Sequence, residues 1–185
     1  MKSRTLGFAA LVAATVNASG CLVNSVHRIY RPGDVKASDA IVVLGAGFDT
    51  QPPLSGFSFS LDEYSMKDGK STGNCFHYNR IEVQVQLPTE RSIIKYFAYR
   101  VPAGVYVWSA FNGTPAPGTP AFIASSGRAV YFGDYIRIGD RAVDQRNNLA
   151  AAQLAVQSVL QKKFRLANAD TPAAAIHGTP FLCTP

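Results

Sequence analysis

Residues 81–87 read IEVQVQL, apolar and polar in strict alternation. A period of two places Ile81, Val83, Val85 and Leu87 on one face of a strand and Glu82, Gln84 and Gln86 on the other. Residues 56–64 (GFSFSLDEY) begin the same way, with Phe57, Phe59 and Leu61 set against Ser58, Ser60 and Asp62. Residues 40–44 (AIVVL) form an unbroken, β-branched apolar run, the pattern of a strand buried on both faces. Residues 92–101 alternate without a purely polar face, and residues 105–111 (VYVWSAF) predict a further strand. Three short strands follow at 121–124, 129–132 and 135–138. Gly45-Ala46-Gly47, Lys67-Asp68-Gly69-Lys70, Pro102-Ala103-Gly104, Ser125-Ser126-Gly127-Arg128 and Gly133-Asp134 punctuate the series as strand ends and turns. Residues 71–79 and 112–120 read as polar and Gly/Pro-rich loops.

Beyond residue 140 the period changes. Leu149, Ala152, Val156, Leu160 and Phe164 recur at helical spacing, and Ala150, Ala151 and Ala152 favour helix. Asp144 is a suitable N-cap, so one amphipathic helix is predicted over 144–164. Closely spaced strands followed by one late helix predict a mainly β chain. Its expected form is an antiparallel β-sandwich, transthyretin- or immunoglobulin-like, with one C-terminal amphipathic helix packed on it. The sandwich and helix are assigned to residues 39–166, and residues 167–185 read as an irregular tail.

The N-terminus carries a different signal. Lys2 and Arg4 precede an uncharged apolar stretch at 6–16, and Ala18, Ser19 and Gly20 follow. A basic start, an apolar run and small residues make a secretory signal peptide over 1–20. The stretch is shorter than the ~20 apolar residues a spanning helix requires. Ala18-Ser19-Gly20-Cys21 resembles a bacterial lipobox. The resemblance implies cleavage before Cys21, acylation of its thiol with palmitate-type chains, and a lipidated tether over 21–38. It also implies a cell-envelope location on the periplasmic side. The outer membrane is favoured, because Leu22 is not the Asp associated with inner-membrane retention. The alternative is ordinary cleavage that leaves Cys21 as a thiol.

Removing residues 1–20 from 185 leaves 165, a one-domain length that supports a core without metal. A hydrophobic fraction of 47% and a charged fraction of 16% fit a folded domain. Lys2 and Arg4 leave with the leader, taking the net charge from +6 to +4. The basic residues are dispersed except for Lys162, Lys163 and Arg165, which read as a solvated helix end. No dense basic patch is interleaved with aromatics, so nucleic acid is excluded as a partner.

Cys75 and Cys183 remain as an even pair in an oxidising compartment, and a disulfide between them is expected; two separate thiols are the alternative. Cys75 and His77 are two residues apart, which keeps a secreted Cys–His hydrolase as a rival reading. His27, His77 and His177 lack metal-ligand spacing, so no metal, cofactor or catalytic residue is assigned. Gly45-Ala46-Gly47 is followed by Pro52-Pro53 rather than a helix, which excludes a dinucleotide loop. Asp62 and Glu63 point to opposite faces of a strand and do not pair for acid–base work.

The aromatics are more suggestive. Tyr96, Tyr106 and Trp108 lie on two neighbouring strands, either as core or as a face that stacks on sugar rings or docks a partner. The stretch FAYRVPAGVYVWSAF, followed by AVYFGDYIRI, resembles the strand, Pro-x-Gly turn, strand of small uncharacterised bacterial lipoproteins. Those have transthyretin-like or carbohydrate-module-like sandwiches. The resemblance implies that fold and an envelope location, and carries over no catalytic residue. The expected function is therefore an envelope lipoprotein with a binding or structural role, not an enzyme. Its partners are the membrane, through the lipid, and an envelope protein or glycan. A sugar-binding module using Tyr96, Tyr106 and Trp108 is the third reading.

Overall fold

In a computed structural model, residues 23–49, 56–74, 76–86, 94–112, 120–139, 142–160 and 164–172 are described. The strands are β1 (Val23–Asn24), β2 (His27–Arg28), β3 (Ala40–Phe48), β4 (Phe57–Ser65), β5 (Lys70–Ser71), β6 (His77–Tyr78) and β7 (Arg80–Val85). They continue with β8 (Lys95–Val101), β9 (Gly104–Trp108), β10 (Phe122–Ala124), β11 (Ala129–Ile138), β12 (Ala142–Arg146) and β13 (Leu166–Asn168). The helix α1 spans Leu149–Leu160.

Two sheets form the sandwich. One has the order β12-β11-β3-β8-β2, with β13 beside the first half of β11. The other has the order β10-β9-β4-β5, with β7 paired to β4. A two-residue parallel ladder joins β1 to β6. The layers follow from alternation. Val42, Leu44 and Phe48 on β3 and Val130, Phe132 and Tyr135 on β11 meet Phe57, Phe59, Leu61, Ile81, Val83, Tyr106 and Phe122 from the facing sheet. The opposite face of the first sheet, with Ile41, Val43 and Tyr131, packs on Ala152, Val156 and Leu160 of α1. Both faces of β3 are covered, and all nine of its residues are buried, as its unbroken apolar run requires.

The expected sandwich with one packed helix is present. Its strands are not all antiparallel: β3 and β13 both run parallel to β11. A parallel neighbour needs a crossover, and α1 supplies the one that returns the chain from β12 to β13.

Several boundaries differ from expectation. Gly45-Ala46-Gly47 does not end β3, which runs on to Phe48. A side chain at Gly45 would collide with the Asp134 carboxylate, so this glycine serves close approach rather than a turn. Gly133-Asp134 does not separate two strands. It lies inside β11, where the register against β3 slips by one residue between Tyr131 and Asp134. Gly133 adopts φ 103°, and Gln145 Nε2 donates to the Phe132 carbonyl at 2.8 Å. The result is a β-bulge that leaves Phe132 and Tyr135 in the same core. Asp144 does not cap the helix; it lies in β12, and Asn148 is the cap.

The segment expected as a tether takes part in the fold. Ile29 is buried and its N–H donates to Ala98 O at 2.8 Å. The start of the expected irregular tail forms β13, and Asp170 O accepts the Ile123 N–H at 3.0 Å.

Candidate functional site

The three aromatics singled out by the sequence do not share a face. Tyr106 is fully buried between the sheets, and its hydroxyl donates to Pro102 O at 3.0 Å. Burial pushes that phenol well above its ordinary range. Trp108 lies on the same inner side, stacked at 5.4 Å on Phe59 and at 5.9 Å on Tyr135. Tyr96 packs on the helix side, and its hydroxyl donates to Asp134 Oδ2 at 3.3 Å. Tyr106 therefore has no surface to offer a ligand, and Tyr96 and Trp108 belong to opposite layers. The signal that selected them, aromatics alternating on adjacent strands, is the signal of a core.

Cys21, Cys75 and Cys183 lie outside the described residues. His77 Nε2 sits 2.9 Å from Ser25 Oγ on the surface. Among the described residues no three of His, Cys, Asp and Glu are grouped to hold a metal ion.

An open groove of about 820 Å³ lies at β4 and β7. Ser58, Glu82 and Gln84, the polar positions of the two alternating strands, line it with Ser60, Arg28, Tyr30, Arg80, Phe111 and Asn112. A shallower depression of about 330 Å³ shares Ser58 and Gln84 and reaches Gly56 and Gln86. The two adjoin at Ser58 and Gln84 and form one trough along the β4–β7 pair.

Two asparagine side chains finish the strand edges that border the trough. Asn112 accepts from Ser60 N at 2.9 Å and donates to Ser60 O at 2.7 Å. Asn24 accepts from Arg80 N at 3.1 Å and donates to Arg80 O at 2.8 Å. Each amide stands in for one residue of a missing strand and bonds edge backbone groups, the Ser60 carbonyl also accepting the Ser109 N–H at 3.0 Å.

The charge pattern is equally specific. Asp62 is buried and accepts from Arg80 Nε at 2.5 Å, Arg80 Nη2 at 3.2 Å and Ser109 Oγ at 2.6 Å. This carboxylate and its stacking on Phe111, 4.7 Å away, fix the Arg80 guanidinium. The Arg28 guanidinium lies over Phe97 at 4.5 Å and Tyr30 at 5.0 Å, with no ion pair to a described acid. Tyr30 and Phe111 remain 68% and 59% exposed, so each ring keeps a free apolar surface beside an oriented cation. Tyr99 donates to Glu82 O at 2.7 Å behind the groove, and burial pushes its phenol up to about 12, against the nearby Arg28 charge.

Sequence reasoning missed Arg28 and Tyr30 because they fall in the segment read as a tether. Phe111 was read as the end of a strand over 105–111, whereas the strand stops at Trp108 and Phe111 stands in the short turn Ala110–Asn112 that follows it. The alternation of IEVQVQL did place Glu82 and Gln84 on the face that forms the trough.

No family model, curated protein or solved structure matches this chain. The site is therefore read from its own chemistry.

Proposed function

We propose that this chain is a bacterial envelope lipoprotein, anchored by acylated Cys21, whose sandwich binds a glycan in the β4–β7 trough. The observation that carries the reading is the trough's composition. It joins exposed rings at Tyr30 and Phe111 to a floor of hydroxyl, amide, carboxylate and guanidinium groups. Sugar rings present apolar C–H faces and a fringe of hydroxyls, and this pairing of flat apolar surface with oriented donors and acceptors suits them. The trough is open along its length, as a chain-like ligand requires. The Lys2/Arg4 start, the apolar 6–16 run and Ala18-Ser19-Gly20-Cys21 support export and acylation, with the outer membrane favoured by Leu22.

Two measurements test this reading. Cys21→Ser is expected to abolish fatty-acid labelling and move the protein from the membrane to the soluble fraction. Retention on the membrane without labelling of the wild type would overturn the anchor. In binding to isolated envelope polysaccharide, the Tyr30→Ala/Phe111→Ala pair is expected to weaken affinity about tenfold or more, a loss of ~1.4 kcal/mol. Absence of wild-type binding, or equal binding by the double variant, would overturn the glycan assignment and favour a protein partner.

A further inference from the structure

Val23, two residues after Cys21, is within the described structure. Val23 is already in β1, and its N–H donates to Phe76 O at 2.9 Å. Two residues of chain reach at most about 7 Å. If Cys21 carries the lipid, the β1–β6 ladder is therefore held close to the bilayer surface, with no length of tether to lift it away.

The surface at that end of the molecule suits such a position. Phe76 is 65% exposed, Val23 44% and Met66 41%, three of the eight exposed large hydrophobic residues among those described. Met66 lies in the turn after β4. Loop residues Thr72 and Asn79 bond to Glu63 near the same end of that strand. Lys67 and Lys70 follow Met66, and Asp68 between them accepts from Ser65 Oγ at 2.6 Å. Phe76 stands proud because its own loop is braced: Asn74 Oδ1 accepts the N–H groups of both Phe76 and His77, at 2.8 and 2.9 Å. A large apolar side chain on a braced loop is costly to leave in water and suits insertion at a lipid interface. The lysines in the Met66 turn suit anionic headgroups.

We propose that Val23, Met66 and Phe76 form a membrane-seating surface that rests in the headgroup region of the leaflet carrying the Cys21 lipid. This rests on the acylation proposed above but adds a second, protein-mediated contact. The lipid chains hold the protein on the membrane, and a second, protein contact restricts how the domain is oriented there.

The experiment uses the full, acylated chain reconstituted into vesicles of phosphatidylethanolamine and phosphatidylglycerol containing bromine-labelled acyl chains. Trp108, the native tryptophan, lies in the sandwich and gives the baseline. Phe76→Trp adds a reporter at the proposed contact. The expected result is blue-shifted emission and bromolipid quenching in Phe76→Trp beyond the wild-type level. Amides around Phe76 should also exchange more slowly on vesicles than in soluble Cys21→Ser protein. Acylated protein, verified by mass, with wild-type quenching in Phe76→Trp and unchanged exchange would overturn the seating surface and leave the anchor intact. Absence of acyl mass at Cys21 would overturn the anchor and the seating surface together.

Discussion

Asp134 is the residue on which local reading and tertiary structure diverge most. In sequence, Gly133-Asp134 has turn chemistry; in the fold the bulge turns the aspartate under α1, where it is 1% exposed. Tyr131 and Tyr96 both donate to it, and the Tyr131 hydroxyl in turn accepts the Asn148 N–H at 3.1 Å. Burial dominates and raises the Asp134 carboxyl above its ordinary 3.8, although the two phenol hydrogen bonds favour the charged form. The Tyr96 phenol is pushed up to about 12 by burial and by the adjacent carboxylate. Between 3.8 and its raised native value, Asp134 keeps a proton in the folded state that the unfolded chain has released. Its contribution to stability is thus complete below 3.8 and is lost as pH rises through the native value. Asp134→Asn does not titrate. The stability of wild type minus that of the variant should therefore fall as pH rises across this window. Urea unfolding of both proteins over a pH series measures it, and a difference that grows with pH would refute the assignment. No local pattern announces such a site, because the partners Tyr96 and Tyr131 are brought in by two other strand positions.

At the scale of elements, hydrophobic period was the reliable guide and end signals were not. The stripe Ala152, Val156 and Leu160 faces the sheet as its spacing requires. The helix start was displaced because Asp144 and Asn148 are both acceptable caps, and only Asn148 lies beyond the end of β12 at Arg146. Val143 and Gln145 read as helical in isolation, yet they pair with Arg137 and Tyr135. Asn148 earns its position through Oδ1, which accepts the Ala151 N–H at 3.1 Å, while its own N–H meets Tyr131. Asn148→Ala should cost about 1 kcal/mol, the typical value of a lost cap. Asp144→Ala removes only an exposed pair with Arg146 and should leave the unfolding midpoint unchanged. Chemical denaturation of the two variants distinguishes the caps: a larger loss at Asp144 would return the helix start to the position expected from sequence.

For the whole molecule, β3 determines how the layers respond to stress. Its even-numbered residues from Ala40 to Phe48 belong to the inter-sheet core, while Ile41 and Val43 belong to the helix layer. Neither layer can loosen without exposing the apolar face of β3 that it covers. The run AIVVL carried this in the sequence, since a strand apolar at every position must be covered twice. The parallel neighbours of β11 were not legible, because direction is set by the connections and not by any local pattern: β3 reaches β11 only after the chain has built the facing sheet, and β13 only after α1. The expectation is one cooperative unit, and the chain supplies two separate probes of it. Trp108 reports the inter-sheet core from its stack between Phe59 and Tyr135, and far-ultraviolet circular dichroism at helix wavelengths reports α1. The two transitions should coincide in wild type. Leu160→Ala, at a site 1% exposed, should cost about 2–5 kcal/mol and shift both probes together. Gln157→Ala, on the exposed side of the helix, should stay within about 0.5 kcal/mol. If Leu160→Ala melts the helix signal early while Trp108 emission keeps its wild-type midpoint, the helix is a separable layer and the sandwich stands without it.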